Sequence, residues 1–185
     1  MANFKESMKL LTFLEYSNDM SKLLHKNKGE DGLTFYGIYE SANPLWAGWY
    51  EIKKQLKITP NLKECSLILS KNEGLMNMAN AFIKASYWDK AKLDSVQSQK
   101  IADEIFIFGF NVGMKIASKK AQELVGVSVD GLIGNKTLQA LNSFDENKFD
   151  VEFDIEEKEY YDLIIKNKPQ YLQFKNGWFK RADFV

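Results

Sequence analysis

The chain has 185 residues, 45% of them apolar, and its 25 basic and 25 acidic side chains give a formal net charge of zero. That length buries roughly two-thirds of the unfolded surface without disulfide or metal staples, and the balanced charge supplies no positive field to gather nucleic acid or anionic lipid. One cysteine, Cys65, forms no internal disulfide, and one histidine, His25, builds no Cys/His zinc site, so neither metal nor cofactor is expected.

From the amino terminus onward, no apolar core followed by small residues marks a secretory signal, and synthesis in the cytoplasm is expected. Phe4, Met8, Leu11 and Glu15 follow i, i+4, i+7, i+11, which predicts an amphipathic helix whose apolar stripe ends in a carboxylate. Gly29, Gly32 and Gly37 lie among polar neighbours. With the β-favouring Thr34, Phe35 and Tyr36 they predict a short hairpin turning at Glu30, Asp31 and Gly32. Helices are expected over 45–56, with Trp46 and Trp49 one turn apart, and over 72–91, with Ala79, Phe82, Ile83 and Tyr87 inward. The longest helix is expected over 94–125, apolar on nearly every side from Ile105 to Val112. It reads as a buried spine where Gly109 and Gly113 let a neighbour approach. Charges at Asp103, Glu104 and Lys115 interrupt its apolar middle, which is too short to cross a bilayer, so no stable membrane insertion is expected.

A turn-rich piece over 126–135 precedes a short helix over 136–142. Over 145–162, nine acidic residues stand against two lysines, interleaved with aromatic and aliphatic residues, which reads as a solvated helix face. The fold class is therefore mainly α, around a central buried helix with a short β-hairpin. No Gly/Ser/Pro-rich linker or repeat separates the two halves. Segments 1–97 and 98–185 are expected within one compact fold.

Serine and cysteine nucleophiles lack a Gly-x-Ser-x-Gly turn and a choice of histidine bases, and no phosphate-binding glycine loop has the required spacing. Carboxylate chemistry remains. Burial disfavours the charged form of a carboxyl, and a carboxyl that keeps its proton near neutrality serves as a general acid. Glu15, placed where the apolar stripe would continue, is the candidate acid. Glycoside cleavage needs such an acid beside a second polar group that holds water or stabilises an oxocarbenium-like state. The hairpin offers Glu30, Asp31 and Thr34 for that task.

Residues 110–142, FNVGMKIASKKAQELVGVSVDGLIGNKTLQALN, resemble the peptidoglycan-binding-like segment that accompanies glycoside hydrolase family 108, and Gly177 to Arg181 resemble its Gly-Trp ending. Leu14-Glu15, Asn18-Asp19 and Gly32 to Ile38 are similar to that family's amino-terminal block, and Trp88-Asp89 to its Tyr-Trp-Asp element. The chain departs from the pattern in carrying Tyr16-Ser17 where the family has two glycines, and MSKLLHKNK over 20–28.

The resemblance implies a lysozyme-like N-acetylmuramidase that cuts the β-1,4 bond between N-acetylmuramic acid and N-acetylglucosamine. Glu15 would be its general acid and Thr34 its water-positioning threonine. Asp19, Glu30 and Asp31 compete for the second carboxylate. Glu30 ranks first, being closest to the turn ahead of Thr34. Tyr36 and Tyr39 are the candidate sugar-stacking rings, joined by His25 and Asn18 as substrate contacts, while Trp46 and Trp49 read as core. In the stretch Val129 to Thr137, the glycines read as turn formers and Thr137 as a helix cap or starter. The implied partner is peptidoglycan, reached after holin-dependent release in the manner of a phage or prophage endolysin. A wall-binding or phage structural protein without chemistry and a lytic transglycosylase are the alternatives.

Overall fold

The computed structural model describes residues 1–27 and 31–185, so Gly29 and Glu30 of the expected turn lie outside the described residues. Among those described, nine α-helices and a small antiparallel sheet give the mainly α fold that the periodicity predicts. Helix α1 (Phe4–Tyr16) forms where expected and buries Met8 and Leu11 of its stripe. Chain packing separates into two units: one joins Met1–Leu11 to Ser86–Val185, and the other is Thr12–Ala85.

Within Thr12–Ala85, strands β1 (Leu24–His25), β2 (Thr34–Phe35) and β3 (Ile38–Tyr39) pair antiparallel in that order. The register Thr34↔Tyr39 and Phe35↔Ile38 leaves only Tyr36 and Gly37 between β2 and β3. Both have positive φ, 50° and 81°, which is what a two-residue turn matched to the strand twist requires. Tyr36, expected in a strand, is therefore a turn residue. The sequence expected one hairpin, whereas a second closes here, because Gly37 supplies the backbone freedom that the turn needs.

Helices α2 (Gly48–Ile58), α3 (Leu62–Leu69) and α4 (Glu73–Ile83) complete this unit. Helix α2 starts later than the expected residue 45. The Trp46 indole folds over its first turn so closely that a Cβ on Gly48 would lie 2.2 Å from the ring. The expected helix over 72–91 stops at Ile83 and loosens into a π-helical turn over Lys84–Trp88. Helix α3 anchors the sheet through Ser66, a fully buried residue. Its Oγ donates to the Met20 carbonyl at 2.6 Å and accepts from the Leu24 amide at 3.0 Å.

The other unit is built on α5 (Gln99–Val112), whose residues from Ile105 to Gly109 are all buried. The single long helix expected over 94–125 is broken twice. Ser98 caps α5, its Oγ accepting from the Ile101 amide, and Gly113 at φ 96° turns the chain into α6 (Met114–Leu124). The two helices fold tightly together: a Cβ on Gly109 would meet the Met114 sulfur at 2.1 Å.

Beyond a short α7 (Asn135–Ser143), α8 (Glu146–Asn167) is the acidic helix, and it is not simply a solvated face. Phe149, Phe153 and Tyr161 are fully buried, and Phe108 of α5 meets the rings of Phe153 and Tyr161 edge-on. Trp178 of α9 (Lys175–Ala182) stacks on Tyr161 with centroids 4.8 Å apart. Glu157 is carried into the core with these rings. Burial pushes its carboxyl up to about 9, with the charge of Asp154 adding to the effect. Glu104 on α5 is also fully buried, its carboxyl oxygens without a hydrogen-bond partner, and burial with the charges of Glu157, Asp154 and Asp150 pushes it up to about 10.

Candidate functional site

Glu15 sits on the last turn of α1, and the chain leaves the helix through two left-handed residues, Ser17 at φ 51° and Asn18 at φ 58°. Asp19 then caps a short 3-10 turn, Met20–Lys22, its side chain accepting from the amide and hydroxyl of Ser21 at 3.0 and 2.7 Å. Those bonds hold its carboxyl below the usual carboxylate range. The turn delivers the chain into β1, which Ser66 clamps to α3. The result, wholly within Thr12–Ala85, is a cavity of about 580 Å3 whose wall includes Glu15, Lys22, His25, Lys26, Thr34 and Lys63.

Three of the residues singled out from sequence therefore meet in one cavity: Glu15, Thr34 and His25. Glu15 is half-buried and is the one carboxylate among the described lining residues. Thr34 is buried on β2, and the His25 ring contacts the Lys22 carbonyl through Nδ1 at 3.0 Å. This is the geometry a general acid needs: a carboxyl recessed at the edge of a space large enough for a sugar ring, with a hydroxyl in the same wall.

The other candidates stand elsewhere. Tyr36 is buried, with its hydroxyl 2.7 Å from Thr12 Oγ1 and its ring stacked on Tyr16, so it is a core residue and not part of the cavity wall. Burial pushes its phenol up. Tyr39 donates its hydroxyl to the Asp31 carbonyl at 2.7 Å and braces the loop. Asn18 is exposed at the end of α1, and neither it, Asp19 nor Asp31 lines the cavity. Glu30 lies outside the described residues.

Sequence reasoning missed the basic wall. Ser21, Lys22, Lys26 and Asn27 all come from the stretch over 20–28, whose departure from the family pattern was the available signal. Lys63 gave none locally, because it reaches the cavity only through the packing of α3 against β1.

In the other unit, the loop from Val127 to Thr137 surrounds a hollow of about 520 Å3 and is braced from beneath by Gln122. The buried Gln122 amide donates to Asp130 at 2.8 Å and to the Leu132 carbonyl at 3.1 Å, and accepts from the Gly131 amide at 2.7 Å. Gly131 at φ 79° is a required glycine: a Cβ there would press on Lys115 at 2.9 Å. Thr137 is buried inside α7 and receives a bond from Gln122 instead of capping the helix.

Among family models, Glycosyl hydrolase 108 matches residues 22–113 and Predicted Peptidoglycan domain matches residues 116–183. The first match begins after Glu15. A solved structure described as that of Brucella abortus SagA is similar at 21% identity and a TM-score of 0.64, covering 97% of this chain and 88% of that one, which is a likeness of fold. No curated protein gives a significant match.

Proposed function

Because the chain belongs to the glycosyl hydrolase 108 family and carries a predicted peptidoglycan domain, it is a glycoside hydrolase directed at peptidoglycan, and we propose that it is an N-acetylmuramidase with Glu15 as its acid. The bond cut is the β-1,4 link from N-acetylmuramic acid to N-acetylglucosamine. One observation carries the assignment: Glu15 and Thr34 line the same sugar-sized cavity. Glu15 gives its proton to the glycosidic oxygen as the bond to the anomeric carbon breaks. Water, held by Thr34, adds to that carbon and passes its proton to a second carboxylate, for which Glu30 ranks first. In this reading 1–97 is the lysozyme-like catalytic segment and 98–185 the wall-binding one. The chain acts as an endolysin of phage or prophage type, released to the wall through a holin.

A lytic transglycosylase is the second reading, favoured by the single carboxylate among the described lining residues, since that reaction needs one acid and no attacking water. Turbidity of isolated sacculi and mass spectrometry of the muropeptides decide both points. Falling turbidity with products ending in reducing muramic acid, lost in Glu15→Gln, supports the muramidase. Products lighter by one water identify the transglycosylase. A Glu15→Gln protein as active as wild type removes Glu15 from the role.

A further inference from the structure

Among the described residues lining the Glu15 cavity, the ionisable groups other than Tyr16 are one carboxylate, Glu15, one histidine, His25, and three lysines, Lys22, Lys26 and Lys63. The chain as a whole is neutral, so this concentration is local. Two segments supply it independently. Lys22, His25 and Lys26 come from the stretch over 20–28, and Lys63 comes from the first turn of α3. Ser66 holds the two together through the Met20 carbonyl and the Leu24 amide, so the lysines are presented by a braced backbone rather than by a loose loop. Lys22 pairs with Asp19 Oδ2 at 3.5 Å while Ser21 takes Oδ1, and neither Lys26 nor Lys63 forms an ion pair with a described acidic residue.

Cleaving a neutral glycan requires no such wall. A positive wall beside a single acid raises the local concentration of an anionic substrate and fixes its orientation, with little consequence for a neutral one. Peptidoglycan offers the matching charge: muramic acid carries peptide stems with free carboxylates, while the sugar backbone is uncharged. We propose that Lys22, Lys26 and Lys63 form a subsite for the stem carboxylates, so that the cavity selects peptide-bearing, anionic glycan strands over neutral ones. This specificity rests on the hydrolase reading above.

The test compares sacculi with free stem carboxylates against sacculi in which those carboxylates have been amidated. Wild-type protein and the triple variant Lys22→Gln/Lys26→Gln/Lys63→Gln are assayed by release of reducing ends at low and high salt. Three exposed charge contacts predict a loss in kcat/KM of about fivefold or more for wild type on amidation, shrinking in high salt as screening grows. The triple variant is expected to treat both substrates alike. All three lysines are exposed, and a thermal melt confirms that the variant is folded. Equal wild-type rates on the two substrates, or an undiminished preference in the triple variant, would overturn the proposal. If wild type cleaves neither substrate, the hydrolase reading fails by itself. Co-sedimentation with the two kinds of sacculi then decides the charge claim separately, since tighter, lysine-dependent retention on the unamidated wall supports it and equal retention rejects it.

Discussion

Ser17 and Asn18 take left-handed backbone conformations just past Tyr16, and Ser17 stands where the resembled family carries the second of its two glycines. An L side chain in that conformation is held at a cost, which Asn tolerates better than Ser. Ser17→Gly is therefore expected to raise stability by about 0.5–1 kcal/mol, net of the extra entropy glycine brings to the unfolded chain, and Asn18→Gly by less. Urea unfolding midpoints check this, and a lower midpoint for Ser17→Gly would contradict it. At this scale the sequence was partly legible. The stripe through Met8 and Leu11 pointed to Glu15, and Thr34 followed from the pattern around Gly32. Tyr36 was misplaced because a run of β-favouring residues does not reveal where the chain turns. Gly37 was visible in the sequence, but the left-handed conformation of Tyr36 before it was not. Lys63 left no trace, because its position depends on tertiary packing.

Between elements, single buried polar side chains do the fastening. Ser66 satisfies one carbonyl and one amide on the segment that carries the basic wall. Removing its hydroxyl leaves both without their partner, so Ser66→Ala is expected to cost about 1–3 kcal/mol and to raise KM as the wall loosens. Chemical denaturation and steady-state kinetics test the two effects together, and a stable variant with unaltered KM would show that β1 holds its place without this link. Gln122 plays the corresponding part beneath the loop from Val127 to Thr137. Helix identity was well read from periodicity, whereas helix ends were not. Gly109 and Gly113 both read as sites of close approach; Gly109 is pressed by Met114, whereas Gly113 has open space beside it and serves to break the helix. The acidic run of α8 was legible as a helix. Its charge pattern did not disclose that Glu157 shares the buried face with Phe149, Phe153 and Tyr161.

For the molecule as a whole, that buried face makes stability depend on pH. Glu104 and Glu157 have folded-state values of about 10 and about 9, raised from 4.5. Their contribution is fully present below about pH 4.5, where both states hold the proton, and declines as pH rises toward the folded-state values, because the unfolded chain ionises first. At 1.36 kcal/mol per unit, Glu104 alone accounts for on the order of 3 kcal/mol between pH 4.5 and 7. Glu104→Gln keeps a neutral group of nearly the same shape without that penalty. It is expected to gain stability over wild type at pH 8 and little at pH 5, and urea unfolding at the two values reads the difference. An equal effect at both would show that Glu104 is not held protonated. The proposed muramidase activity rests on transfer of a proton from Glu15 and capture of the sugar by water, and digestion of sacculi in water enriched in heavy oxygen reports it most directly. With products reduced promptly, wild type is predicted to leave one heavy oxygen at each new muramic acid end, and Glu15→Gln to leave essentially none. Unlabelled anhydro ends, or equal labelling by the variant, would contradict the account.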